Sequence, residues 1–181
     1  MHREFEFIIG IHADLSAAGG DYEAVHRACD DHREAAFDAA VFARKGDGTE
    51  RIYRHSAPSG QTPAAVTGVW GLSTGLAVAL FPAIWIGSGP ATPASSTTIG
   101  AIATSVSQGL GRDALKEVGE LLDGAAAALI VATAQTGLEA VRSAISHADS
   151  VLSKPAVIDR ENIGAILTAG GAGPAPGSKE R

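Results

Sequence analysis

Residues 64–87 read AAVTGVWGLSTGLAVALFPAIWIG and lie within an uncharged stretch that runs from residue 56 to residue 111. That stretch contains no Asp, Glu, Lys, Arg or His. The quoted run is long and apolar enough to cross a bilayer as a helix. Residues 94–110 form a second half rich in Ser and Thr, and Pro82, Pro90 and Pro93 separate the two halves. The stretch therefore predicts a glycine-rich helical hairpin between charged segments of ordinary α/β patterning.

The glycines of the first half are spaced for close packing. They are three and four residues apart, so a helix there would have a groove that another backbone can approach closely. Because a monomer seldom exposes so large an apolar surface, we expect the hairpin to mediate homo-oligomer assembly or to contact membrane lipid. Lys and Arg anchors, which usually mark membrane orientation, are absent from its flanks. The residues predicted to mediate assembly or membrane contact are Gly68, Trp70, Gly71, Gly75, Phe81 and Trp85.

Composition restricts the class of protein. A chain of 181 residues suggests one domain with a real core. The net charge of −6, with no cluster of Lys and Arg, argues against a nucleic-acid partner. Cys29 is the single cysteine, which rules out a disulfide within the chain and fits a reducing compartment. The N-terminal apolar run is too short for a signal peptide. We therefore expect a cytoplasmic protein or one associated with the cytoplasmic face of a membrane.

The charged segment before the uncharged stretch predicts strand, helix, strand, strand. Residues 4–11 alternate as a strand, and Asp21 is the predicted N-cap of a helix to about residue 33, after a loop through Gly19 and Gly20. Residues 37–44 and 51–55 predict two strands joined by a turn at Gly46–Gly48. This turn is too short to be a phosphate loop.

The segment after the stretch predicts helix, strand, helix, strand. Residues 112–123 form an amphipathic helix that Gly124 ends, and residues 125–133 are apolar throughout, as in a central strand. Thr136 and Glu139 form a capping box, and residues 149–158 hold a last strand in which Pro155 suits a sheet edge.

Together these elements predict an α+β fold. The order is that of a ferredoxin-like split β-α-β-β-α-β sheet with its central hairpin at Gly46–Gly48, followed by an extra α-β. The glycine-rich hairpin, residues 61–111, is inserted after the third strand. We expect a single domain over residues 1–160 and a C-terminal tail over residues 161–181.

The sequence resembles a bacterial family of unknown function that is often labelled membrane or stress-related protein. The resemblance lies in residues 40–48 (AVFARKGDG), in residues 67–71 (TGVWG) through Phe81-Pro82, and in residues 109–124 (GLGRDALKEVGELLDG). It covers most of the chain up to about residue 158 and implies a ferredoxin-like domain with a glycine-rich hydrophobic insert. It implies no catalytic residues. The Ser/Thr/Pro-rich residues 88–98 depart from the family pattern.

Two groups of polar residues invite a chemical interpretation. His26, Cys29, Asp30 and His32 are close in sequence, but a closed zinc site needs four ligands in a recognisable spacing, and a core cysteine with solvated neighbours is favoured. His12 and Asp14 follow the first strand, where a loop can host acid–base chemistry, yet Asp14 is better explained as a turn or cap residue.

The sequence therefore predicts a non-enzymatic, self-associating protein without catalytic residues, metal or cofactor. The alternative is a small-molecule-binding or enzymatic ferredoxin-like domain that uses the sheet face with His12 and Asp14.

Overall fold

The computed structural model describes residues 2–31, 37–55, 71–86, 92–93 and 97–159. In these ranges the chain has the predicted α+β fold, with seven strands and five α-helices. The strands are β1 (His2–His12), β2 (Phe37–Arg44), β3 (Glu50–His55), β4 (Trp85–Ile86), β5 (Thr92–Pro93), β6 (Ala127–Ala134) and β7 (Ser150–Asp159). The helices are α1 (Leu15–Asp31), α2 (Leu72–Leu80), α3 (Thr97–Leu110), α4 (Arg112–Asp123) and α5 (Leu138–Ala144).

One sheet organises the described chain. Its five long strands are antiparallel in the order β3-β2-β6-β1-β7, and the two-residue strands β4 and β5 continue the sheet beyond β3. Helix α1 connects β1 to β2, and β6 lies between those two strands. Helix α5 connects β6 to β7, and β1 lies between them. The hairpin β2–β3 forms at Gly46–Gly48 as predicted, but β6 rather than β3 is the neighbour of β1.

Helices cover both faces of this sheet. Helices α1 and α5 pack on the face that contains Ile8, Val41 and Leu129. Helices α2, α3 and α4 pack on the opposite face, against Phe7 and Phe42. All the residues of β6 except the last are buried, which agrees with its prediction as a central strand covered on two sides. The described part of the uncharged stretch thus covers one face of its own sheet.

The burial of helix α2 explains why this part of the stretch has no charges. Residues 72–78 are buried in succession, so a charged side chain at any of these positions would lose its hydration. Gly75 lets α2 approach α3 closely, because a Cβ atom built there would lie 2.7 Å from Cγ2 of Ile102. At Gly75, the close packing predicted for the glycines of this stretch therefore occurs between two helices of one chain.

The N-terminus of α2 is capped from the sheet. Gly71 precedes the helix and has no side chain to cap it. The buried carboxylate of Asp38 on β2 accepts a hydrogen bond from the backbone amide of Ser73 at 3.0 Å and another from the Ser73 hydroxyl. Asp38 thereby ties the uncharged stretch to the centre of the sheet.

Several local predictions need correction. Helix α1 begins at Leu15, six residues before the predicted N-cap, because Gly19 and Gly20 are helical rather than part of a loop. Helix α5 begins at Leu138, after a 3₁₀ turn over Gln135–Gly137, and no side-chain cap forms at its start. The segment between α2 and α3, predicted as a turn, contributes β4 and β5. No helix in the described ranges is long and apolar enough to span a bilayer.

Other local predictions are confirmed. Helix α4 ends at Asp123 with Gly124 as its C-cap, and its Val118 and Leu122 are buried. Within the described chain β7 is an edge strand, paired only with β1, and it contains Pro155. The predicted C-terminal tail over residues 161–181 lies outside the described residues.

Candidate functional site

Two buried polar side chains and one exposed histidine meet where β1 ends and α1 begins. His12 is the last residue of β1, Asp21 lies in the second turn of α1, and His147 lies in the loop between α5 and β7. The sheet order brings them together, since β1 is the neighbour of β7 and α1 packs on the same face as α5. We refer to His12, Asp21 and His147 as the His–Asp–His cluster.

Asp21 is the centre of the cluster. Its Oδ2 atom accepts hydrogen bonds from Nε2 of His12 at 2.8 Å and from the backbone amide of His147 at 3.0 Å. Its Oδ1 atom accepts from Nδ1 of His147 at 2.7 Å and from the amide of Ser146 at 3.2 Å. Burial raises the pKa of Asp21, but the hydrogen bonds from His12, His147 and Ser146 outweigh it, and the pKa is lowered. The structure thus favours an ionised, fully hydrogen-bonded carboxylate.

The two histidines have different environments. The His12 side chain is completely buried, and its Nδ1 atom lies 3.0 Å from the carbonyl oxygen of Gly10. The side chain of His147 is 62% exposed. Because Asp21 binds the Nδ1 atom of His147, Nε2 is the ring nitrogen that remains for a ligand.

His147 borders a cleft of about 300 Å³. The other residues that line it are Asp14, Ser16, Ala17 and Gly20, all from the start of α1 or the residue before it. The Ser16 hydroxyl and the His147 ring therefore belong to the same concave surface. A cleft of this size accommodates a small molecule.

A larger groove of about 500 Å³ adjoins the cleft and shares Ser16 and Gly20 with it. Its opposite wall contains Val41, Tyr53 and Arg54, and Leu15, Gly19 and Glu23 complete the lining. Arg54 donates a hydrogen bond to Glu23 at 2.8 Å, and this contact lowers the pKa of Glu23 and raises that of Arg54. No Cβ built at Gly19 or Gly20 would meet an atom within 4 Å, so space is open beside both glycines.

The structure divides the predicted pair of His12 and Asp14. Asp14 caps α1, as its Oδ1 atom accepts a hydrogen bond from the amide of Ala17 at 2.8 Å, so the cap interpretation is confirmed. His12 is paired with Asp21 instead, which corrects the assignment of Asp21 as an N-cap. A signal for this pairing was present, because Asp21 precedes the buried residues Val25 and Cys29 by four and eight positions on the core side of α1.

The structure describes part of the group His26, Cys29, Asp30 and His32, for which a core cysteine with solvated neighbours was favoured over a metal site. Cys29 is buried in the core, and the ring of His26 lies between those of Tyr22 at 4.5 Å and Phe37 at 4.9 Å. His32 and the side chain of Asp30 are outside the part of the chain that the structure describes. Among the described residues, no three His, Cys, Asp or Glu side chains are grouped to hold a metal ion.

Those residues predicted for assembly that the structure describes contact other residues of the same chain. Gly71 has a φ of 81° and lies against Ile102, as Gly75 does. Phe81 stacks on Phe42 with their ring centroids 5.3 Å apart. The backbone of Trp85 pairs with β3 and β5. The side chain of Trp85 is outside the part of the chain that the structure describes, as are Gly68 and Trp70.

Comparisons with protein-family models, with curated proteins and with solved structures find no match for this chain. The functional assignment therefore relies on the geometry of the cleft and of the His–Asp–His cluster.

Proposed function

We propose that this protein is a small-molecule-binding domain in which His147 exchanges a proton with the ligand. One observation carries the proposal: an exposed histidine is held through Nδ1, at 2.7 Å, by a buried carboxylate beside a cleft. A carboxylate bound to one ring nitrogen fixes the imidazole orientation and leaves the other nitrogen to accept or donate a proton. This arrangement is more than solvation of a surface histidine requires.

The lining of the two concave surfaces indicates the kind of ligand. The cleft offers the Ser16 hydroxyl and the His147 ring, which suit a polar group that carries an O–H or N–H. The adjoining groove offers Leu15 and the Tyr53 ring for an apolar body, with the Arg54–Glu23 ion pair at its side. Since the surfaces share Ser16 and Gly20, an elongated molecule could occupy both.

A screen of small polar metabolites tests the proposal. We expect a bound compound to shift the backbone amide resonances of Ser16, Gly20 and His147 in two-dimensional NMR spectra. The substitution His147→Ala should weaken binding at least tenfold, while Lys45→Ala, at the exposed turn between β2 and β3, should leave affinity unchanged. The proposal fails if compounds bind elsewhere, if His147→Ala retains full affinity, or if a broad screen yields no ligand.

We propose further that the sheet is a ferredoxin-like core enlarged by an insertion. Two observations support this. Strands β1 and β2 flank β6 and are joined by α1, and strands β6 and β7 flank β1 and are joined by α5. On this interpretation, the segment from β3 to α4 is inserted between the second and third core strands. The family resemblance and the single domain over residues 1–160 remain predictions.

Self-association through the uncharged stretch is a second proposal. It is supported by the absence of charge over residues 56–111, part of which lies outside the described residues. Within that stretch, Trp70 is the best residue for a test, because a side chain at Gly71 would strain a backbone with a φ of 81° whatever the assembly state. We expect a uniform oligomer by light scattering, extracted without detergent, that dissociates in Trp70→Ala. A wild-type monomer would exclude this role, and recovery only with detergent would indicate contact with membrane lipid.

A further inference from the structure

We propose that His12 is a positioning residue that acts through Asp21 to hold His147 in one tautomer, with its proton on Nδ1 and Nε2 free for a ligand. This inference rests on the proposed function of His147. It assigns to His12 a role different from the acid–base role that its sequence position suggests.

The hydrogen-bond partners of His12 determine its charge. Its Nδ1 atom faces the carbonyl oxygen of Gly10 at 3.0 Å, and its Nε2 atom faces Oδ2 of Asp21 at 2.8 Å. A carbonyl oxygen and an ionised carboxylate can only accept hydrogen bonds. A neutral ring can donate from only one of its two nitrogens, so His12 satisfies both acceptors at once only when the ring is protonated and positively charged.

Among the hydrogen bonds that lower the pKa of Asp21, the one from His12 contributes most. The side chains of His12 and Asp21 are both fully buried, whereas His147 is mostly exposed, so that water screens its interaction with the carboxylate. The groups that contact Asp21 are His12 from β1 and Ser146 and His147 from the loop before β7. Glu23 and Arg54, two other charged residues near α1, are paired with each other.

The effect of losing His12 should reach His147 through Asp21. A buried carboxylate without a charged partner takes up a proton, because protonation avoids the cost of an isolated buried charge. A protonated Asp21 has one O–H to donate and accepts fewer hydrogen bonds, so it no longer dictates which nitrogen of His147 holds the proton. The neutral ring would then populate both tautomers.

The substitution His12→Gln tests this coupling without any ligand. Glutamine can still donate a hydrogen bond to Asp21 but carries no charge. We expect the pKa of Asp21, measured by ¹³C NMR of its carboxyl group, to rise from below its ordinary value of 3.8 in the wild type into the pH range in which the His147 ring is neutral. Long-range ¹⁵N–¹H spectra should show His147 changing from one tautomer to a mixture. The control is His26→Gln, because His26 lies on α1, as Asp21 does, but outside the cluster. This substitution should change neither the pKa of Asp21 nor the tautomer of His147.

Two results would overturn the inference. One is a folded His12→Gln variant with an unchanged Asp21 pKa and an unchanged His147 tautomer. The other is a wild-type spectrum in which the neutral His147 ring holds its proton on Nε2, a measurement that does not depend on the folding of any variant. Because neither experiment uses a ligand, failure of the coupling is distinguishable from failure of the binding function, which the metabolite screen reports.

Discussion

Asp21→Asn is the substitution with the most direct consequence for the fold. The change keeps the side-chain shape but removes the charge and replaces one acceptor oxygen with an NH₂ group. That NH₂ group then faces either Nε2 of His12, which accepts its hydrogen bond only after losing its own proton, or the ring and amide nitrogens that contact Oδ1, which are donors. Breaking a buried ion pair costs about 3 kcal/mol or more. We therefore expect the free energy of unfolding to fall by about 3 kcal/mol, a figure that includes the disturbed hydrogen bonds.

The assay is urea unfolding followed by circular dichroism, at neutral pH and then at successively lower pH. The pKa of Asp21 is lower in the folded protein than its ordinary value of 3.8. The unfolded chain thus binds this proton more readily, and the contribution of Asp21 is fully present above pH 3.8 and lost as the pH falls through the folded pKa. The difference between wild type and Asp21→Asn should shrink over that range.

Glu23→Gln is the matched control, because Glu23 lies on the same helix and forms an ion pair that is exposed to solvent. Screening by water makes such pairs weak, so we expect little change in unfolding. The reasoning is refuted if Asp21→Asn unfolds at the same urea concentration as the wild type. It is also refuted if the difference between the two proteins persists undiminished below the folded pKa of Asp21.

Two Gly→Ala substitutions should have opposite effects in the same urea assay. Gly20 is an exposed residue within α1, away from its ends, and a Cβ atom built there meets nothing within 4 Å. Alanine should therefore stabilise the protein by about 0.5–1 kcal/mol. At Gly75 a Cβ atom would lie 2.7 Å from Cγ2 of Ile102, a stiff β-branched side chain, and we expect a net loss of about 1–2 kcal/mol. Adding Ile102→Ala should make the Gly75→Ala substitution less costly. A stabilising Gly75→Ala or a destabilising Gly20→Ala would contradict the packing described here.

The elements that local patterns identified correctly are those whose signals lie within a few residues. The turn at Gly48 needs a positive φ, which is 86° in the structure, and glycine adopts it without steric cost. Helix α4 and strand β6 follow from the spacing and continuity of their apolar residues. The start of α1 was missed because Gly19 and Gly20 disfavour a helix locally, while packing of Ala18, Val25 and Cys29 on the sheet stabilises one.

The candidate site could not be identified from local patterns. Asp21 and His147 are 126 positions apart, and only the neighbouring positions of β1 and β7, with α1 and α5 on one face, bring them into contact. His12 and Asp14, by contrast, are close in sequence but have different partners: His12 contacts Asp21, and Asp14 caps α1. Sequence proximity suggested the wrong carboxylate because hydrogen bonds form between neighbours in space.

The sequence by itself indicated that the uncharged stretch contains a long apolar run that needs to be covered, since apolar surface is driven out of water. It also determined the helical character of two of its parts, α2 and α3. Only the tertiary structure decided where the described part is buried: α2 and α3 cover one face of the chain's own sheet. The physical reason is that the hydrophobic effect has no direction. An apolar surface must be covered, but the hydrophobic effect does not select what covers it. The arrangement of the strands determines which surface of the sheet does so.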